Sequence, residues 1–343
     1  MDTMDVLLDP VSRLYFPLEK YGYILEKTLN NENRWHIKIV CRILDKNFRR
    51  YVSTTCLKQD DYLKLLETTT YLKCNNKLSP NVAKLYPEDK TIVCEYVGDF
   101  LSDYLLNTPA NISLSLTSIF EYLKDINSIN QSRKAFVIPS IVKTALQLSK
   151  VLSGDFEFLP RSKKILPKIE KSGIKFTYGY GIEDPHIWNF RILNTQDRFQ
   201  ALTTDYDYFS DRVNYFWELG YFYATFRWFR KISFPLACRS EEILLSLIED
   251  ADLKSEFMFW LGALSSYCGY KDSLRGFLKG DRTHDLRKEH SIIKELDEKV
   301  AHLASKLIGE QNSINTIYAN SYNLSHKFIA QTQRVLLEEK VGK

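Results

Sequence analysis

The feature that most constrains this chain is a change of periodicity near residue 97, where strand-like alternation gives way to helical spacing. Before it, Tyr21 to Leu29 and Trp35 to Leu44 are rich in β-branched and aromatic residues, with Trp35, Ile37, Ile39, Cys41 and Ile43 alternating. The polar run Asn30-Asn31-Glu32-Asn33 between them predicts a hairpin. Tyr51 to Leu57 reads as a third strand, and Asp60-Asp61 opens a helix whose apolar face holds Tyr62, Leu65, Leu66 and Leu72. Val82 to Tyr86 and Thr91 to Tyr96 read as two further strands around Pro87-Glu88-Asp89. After Phe100 the spacing predicts helices over about 113–129, 138–152, 212–230, 241–249 and 253–267, and a long one from about 287 that breaks near Gly309. An α+β architecture follows, a small antiparallel sheet with one helix ahead of a larger helical part.

The exception in the helical part is the segment from Phe176 to Phe209. Gly179, Gly181 and Pro185 mark a loop there, followed by short strands at Asn189 to Leu193 and Phe199 to Thr204. Two acids, a histidine and an asparagine crowd into Glu183-Asp184-Pro185-His186-Ile187-Trp188-Asn189, which no helical core requires. A second acidic pair, Asp205 and Asp207, follows the second strand. If the two sets meet across the hairpin, Asp184, Asn189 and Asp205 bring hard oxygen donors to one place, a set suited to Mg²⁺ with substrate phosphate. The bland alternative is an Asp-Pro turn closed by local side-chain to backbone bonds. His186 reads as a loop-orienting residue, and the aromatic run from Tyr215 to Phe229 as a buried central helix.

Composition adds only exclusions. Across 343 residues the net charge is +4, too weak to mark a nucleic-acid or membrane surface. The six cysteines form no C-x-x-C pair and read as reduced thiols. No run approaches the 18 or so apolar residues of a membrane span, and Met1 to Asp5 lacks a signal-peptide pattern, so a soluble cytoplasmic protein is expected.

Asp184-Pro185-His186-Ile187-Trp188-Asn189, followed after an apolar strand by Leu202-Thr203-Thr204-Asp205-Tyr206-Asp207, resembles the catalytic core of kinase-like phosphotransferases of the aminoglycoside and choline type. In that family the loop reads H-G-D-x-H-P-x-N and the second element I-D-F/W/Y-[DE]. The resemblance extends to Cys94-Glu95-Tyr96-Val97-Gly98, similar to the family's hinge. It implies the bilobal protein-kinase-like fold, with residues 1–97 as the nucleotide-binding lobe and 98–343 as the lobe holding the catalytic loop and acceptor site. It also implies ATP and Mg²⁺ as cofactors and phosphoryl transfer to the hydroxyl of a small molecule. Asp184 would be catalytic, Asn189, Asp205 and Asp207 would hold the metal, backbone groups near Glu95 and Val97 would bind adenine, and Glu67 would pair with the phosphate-binding lysine. The sequence departs from the family in four places: the first hairpin has no G-x-G-x-x-G, Glu218 replaces the usual Asp-Leu pair, and two further departures touch the site itself. Ile182 stands where the loop histidine belongs, and the third strand has no lysine; Lys38 on the second strand is the candidate phosphate contact, with Lys58, Arg49 and Arg50 as alternatives. Those departures are the features of a second reading, a pseudokinase serving as a nucleotide-binding or scaffold module. No D-F-G or A-P-E pattern follows Asp205, which points to a small-molecule acceptor.

Overall fold

The computed structural model describes residues 18–28, 38–151, 159–187, 189–195, 198–203, 209–228, 234–269 and 292–313. The chain divides into two compact units, Met1–Ser132 with Tyr178–Glu249, and Arg133–Thr177 with Asp250–Lys343.

The first unit begins with a five-stranded antiparallel sheet of β1 (Ile24–Thr28), β2 (Lys38–Leu44), β3 (Arg50–Cys56), β4 (Val82–Tyr86) and β5 (Thr91–Glu95), in the order β1-β2-β3-β5-β4. The expected hairpin is present, with Ile24 opposite Leu44 and Thr28 opposite Cys41. Side chains of one face, Tyr23, Cys41, Ile43 and Val93, form its core. Between β3 and β4 runs helix α1 (Gln59–Cys74), which packs on β3 and β5 through Tyr62, Leu65 and Leu72. Burying three such side chains contributes roughly 1.5–3 kcal/mol each, which is what holds this helix on a small sheet.

Residues 96–98 lead into a short strand β6 (Asp99–Phe100), a helix α2 (Leu101–Asn107) and the amphipathic α3 (Ile112–Asn127). Ile112, Leu116, Ile119, Leu123 and Ile126 on α3 are all fully buried, a 3–4 spacing that makes one continuous apolar stripe. The stripe is covered by β10 (Arg198–Thr203), which pairs with β9 (Phe190–Thr195), and β9 in turn pairs with β6.

Two expectations fail here. Gly179 and Gly181 do not mark a loop; they lie within a strand, β8 (Lys175–Ile182), whose C-terminal half pairs with β11 (Phe209–Val213). Their role is close approach: a Cβ at Gly179 would lie 1.9 Å from the Asn127 carbonyl oxygen, and one at Gly181 2.7 Å from Glu218 Oε1. The helix expected from 212 begins at Tyr215 (α6, Tyr215–Trp228), because Asn214 ends β11 and caps the helix, its Oδ1 accepting from Trp217 N–H at 3.1 Å. From Trp217 to Phe226 almost every side chain of α6 is buried, as the run of aromatics predicts. Helix α7 (Phe234–Ser246) packs on α3 and α6 and starts seven residues before the expected 241. Pro235 stands in its first turn, where a missing N–H costs nothing.

Strand β7 (Ser132–Ala135) leads into the second unit, where α4 (Ser140–Val151) packs on α8 (Leu253–Gly269), and Phe136, Phe176 and Phe257 form an aromatic core with centroids 5.4–5.8 Å apart. Helix α5 (Pro160–Ser172), not anticipated from the sequence, has a remote cap: Asp297 accepts from the N–H groups of Arg161 (3.0 Å) and Ser162 (2.8 Å). Asp297 belongs to a helix over 292–313, α9, which runs unbroken through Gly309. An exposed helical glycine costs only about 1 kcal/mol, too little to end a helix held by a buried face.

Candidate active site

The acidic loop grows out of β8, whose last residue is Ile182. The loop closes on itself: His186 N–H donates to the Asp184 carbonyl (3.0 Å), Asn189 N–H to the His186 carbonyl (2.9 Å), and the Asn189 side-chain amide back to the Asp184 carbonyl (2.8 Å). These are the local bonds an Asp-Pro turn favours. They also pin Asp184 and Asn189 on one short bend, with the Asn189 amide nitrogen spent on the backbone and its oxygen the atom suited to a cation. Asn189 is 5% exposed and the Asp184 side chain 29% exposed, so the carboxylate is the part solvent can reach.

Helix α6 grips this loop at two points. One turn apart on the helix, Glu218 Oε1 accepts from Ile182 N–H (2.6 Å) and the Tyr221 hydroxyl donates to Asp184 Oδ1 (2.7 Å). His186 Nε2 stands 3.4 Å from the other carboxylate oxygen, Oδ2. Charge-assisted bonds of this kind fix a carboxylate rotamer. Glu218 is fully buried, with Oε2 lacking a hydrogen-bond partner among the described residues. Burial raises its pKa well above the ordinary carboxylate value, against the smaller lowering effect of the Ile182 N–H. The charge of Glu218 also acts on two tyrosines, Tyr122 and Tyr215; burial is the main cause that pushes the Tyr215 hydroxyl up to about 12 and raises Tyr122 as well. Tyr221 and Glu218 were not foreseen as partners of the loop. Their spacing of three on a helix is visible in the sequence, but not the strand they meet.

The hairpin of β9 and β10 sets Thr203 opposite Phe190, and the Thr203 hydroxyl donates to the Asn189 carbonyl (3.0 Å). Asp205 and Asp207, two and four residues further on, lie outside the described residues, as does Trp188. Among the described residues no group of three or more His, Cys, Asp or Glu could hold a metal ion. Lys38 is in β2, opposite Cys56 of β3, but its side chain lies outside the described residues. Glu67 is exposed on α1 and makes no ion pair among the described residues. Glu95 ends β5, its carboxylate accepting from Asn81 Nδ2 (3.0 Å), and half-buried Val97 follows two residues later.

That segment leads directly to Gly98, which has φ of +102° and sits so close to β9 that a Cβ would fall 1.9 Å from the Ile192 carbonyl oxygen. Beside it is a residue sequence reading missed. Arg191, paired with Phe100 across the β6–β9 ladder, is 2% exposed, with its guanidinium 3.5 Å from the centre of the Phe100 ring.

No family model and no curated protein matches the chain. Solved structures do. A choline/ethanolamine kinase family protein from Mesorhizobium loti aligns with TM-score 0.50 at 13% identity, over 86% of this chain and 95% of that one. An aminoglycoside phosphotransferase, APH(4)-Ia, gives 0.53 at 11% identity over 83% and 96%. Amicoumacin kinase, solved with AMP-PNP, Ca²⁺ and Ami, gives 0.50 at 12% identity over 85% and 91%. The chain has a protein-kinase-like fold. The five-stranded order with a helix after the third strand belongs to this fold of the chain. No helix among the described residues is long and apolar enough to cross a membrane.

Proposed function

We propose that this protein is an ATP- and Mg²⁺-dependent phosphotransferase that moves a γ-phosphoryl group to the hydroxyl of a small molecule in the cytoplasm. The observation that carries the reading is the Asp184 carboxylate, partly exposed, at the tip of a closed bend and fixed by Tyr221. In this reading residues 1–97 are the nucleotide-binding lobe and 98–343 carry the catalytic loop and acceptor site. Asp184 orients the acceptor hydroxyl and takes its proton as the new O–P bond forms and the bond from the γ-phosphorus to the β–γ bridging oxygen breaks, releasing ADP. The amide oxygen of Asn189 and the carboxylates of Asp205 and Asp207 would hold Mg²⁺, a set of hard oxygen donors that fits the ion. When bound, the ion neutralises charge on the phosphates. Backbone groups near Glu95 and Val97 hold the base, and Lys38, oriented by Glu67, neutralises the phosphates.

Asp184→Asn and Asp205→Ala test it. Each is expected to lower transfer by about 10²-fold or more with folding retained, in a screen of aminoglycosides, amino alcohols and sugars as acceptors. Unaltered turnover in both removes the catalytic assignment. One observation favours a second reading: β3, Arg50–Cys56, contains no lysine. A pseudokinase would bind nucleotide or a protein partner without transferring phosphate, and no Mg²⁺-dependent thermal shift at millimolar ATP or GTP, together with no transfer, favours that module.

A further inference from the structure

Arg191 presents an unspent pair of donors at the segment where the proposed function places the nucleotide base. Its Nη1 reaches the Gly98 carbonyl at 3.4 Å and its face lies on the Phe100 ring. Nε and Nη2, the two N–H groups on the side-on edge of the fork, are buried and find no hydrogen-bond partner among the described residues. The nearby carboxylate of Asp99 is engaged by the Tyr96 hydroxyl, and Arg191 makes no ion pair among the described residues. A shielded guanidinium edge with nothing to donate to is costly, and native proteins keep such edges for a ligand, an ion or ordered water.

Burial lowers the guanidinium to about 10, against the raising effect of Tyr96, Asp99 and Asp103, so it stays charged at neutral pH. What it can accept is set by geometry. Two parallel N–H donors pair with two acceptors lying side by side in one plane. Guanine offers that edge in O6 and N7, whereas adenine sets an N6 amino group, itself a donor, beside N7. Other planar acceptors, a carboxylate among them, lack a reason to stand at a hinge segment.

We infer that Arg191 reads the O6/N7 edge of a guanine base, so that the site described above takes GTP in preference to ATP. The inference rests on the phosphotransferase reading for the place of the base, and replaces ATP by GTP as the preferred donor of that reaction. Both donors are buried, so a base reaches them only where the residues around them give way. A point-charge replacement does not substitute, because lysine has no planar fork.

The experiment is isothermal titration of the full-length protein with GTP, ITP and ATP, each with Mg²⁺, and the GTP and ATP titrations repeated on Arg191→Gln and Arg191→Lys. Wild type is expected to bind GTP roughly ten- to a hundredfold more tightly than ATP, the discrimination typical of one bidentate base contact. ITP, which keeps O6 and N7 but lacks the 2-amino group, is expected to follow GTP. In both variants the GTP and ATP affinities converge. ATP binding as tightly as GTP overturns the inference and leaves the phosphotransferase reading standing; Arg191 then only ties β9 to Gly98 or holds a buried water. ITP behaving as ATP does, or a variant that keeps the GTP preference, overturns it equally. No binding of any triphosphate overturns the placement of the base itself, and with it both readings. The wild-type series decides the matter even where a variant fails to fold.

Discussion

Glu218→Gln isolates the proton on the buried carboxyl beneath the acidic loop. Glu218 is fully buried and its pKa lies well above the 4.5 of an exposed glutamate, with burial the cause. The folded chain therefore keeps this proton to a higher pH than the unfolded chain does. Stability from Glu218 is whole below 4.5 and is lost as the pH rises through the raised native value. Between the two values the loss is about 1.4 kcal/mol per pH unit. Glutamine has the same shape and keeps an oxygen to accept from Ile182 N–H, but it has no proton to lose. Its amide puts two N–H groups where the acid has one O–H, a fixed cost of about 1–3 kcal/mol for an unsatisfied buried donor. Urea unfolding followed by tryptophan fluorescence at about pH 5, 6 and 7 reads the difference between the two proteins. Wild type is expected to lead at the lowest pH and to lose about 1.4 kcal/mol of that lead per pH unit until its native pKa is passed. A difference constant to within about 0.5 kcal/mol over the whole range refutes the reasoning, because Glu218 would then be ionised in the folded chain as readily as in the unfolded one.

Three further perturbations follow from particular contacts. Gly179→Ala sets a Cβ 1.9 Å from the Asn127 carbonyl, a backbone atom that cannot step aside, and is expected to cost about 3 kcal/mol or more or to abolish folding, whereas Gly309→Ala meets nothing within 4 Å on an exposed helix and should stabilise by about 0.5–1 kcal/mol; circular dichroism melts compare them. Tyr221→Phe removes the hydroxyl from Asp184 Oδ1 and should lower kcat about ten- to a hundredfold once an acceptor is known, with nucleotide Kd unchanged, since a bond to a charged group contributes roughly 1.5–3 kcal/mol. Asp297→Ala frees the Arg161 and Ser162 N–H groups and should cost about 1–2 kcal/mol, seen as a lower Tm, with Asp297→Asn losing less.

Much of this architecture is legible in the residues because it depends on local periodicity. Alternation in β2 and the 3–4 spacing in α3 each report a face, and a face is all the sheet or helix needs to be recognised. The bend that joins Asp184 and Asn189 was legible for a different reason, since it is closed by bonds within six residues. What escaped is what depends on a distant partner. Gly179 and Gly181 read as loop punctuation because nothing local reveals that Asn127 and Glu218 occupy the space of their missing side chains. Helix α5, with Pro167 inside it, is secured at its start by Asp297, 135 and 136 residues away. Arg191 reads as an ordinary strand residue until β9 is laid against Phe100.

The same distinction explains how the loop is held. A bend closed only by its own turn would leave the direction of the Asp184 carboxylate free, because backbone bonds fix the main chain and not the χ angles. Direction comes instead from α6, which is itself immobilised by burial from Trp217 to Phe226 and capped by Asn214. Glu218 fixes the strand end at Ile182, two residues before Asp184, and Tyr221 fixes the carboxylate. The requirement for glycine at 181 is a consequence, since a side chain there would push Glu218 off the Ile182 N–H that it accepts. The direction of the carboxylate is thus set by a rigid helix rather than by the loop, which is what the proposed phosphoryl transfer, a reaction driven by positioning, needs.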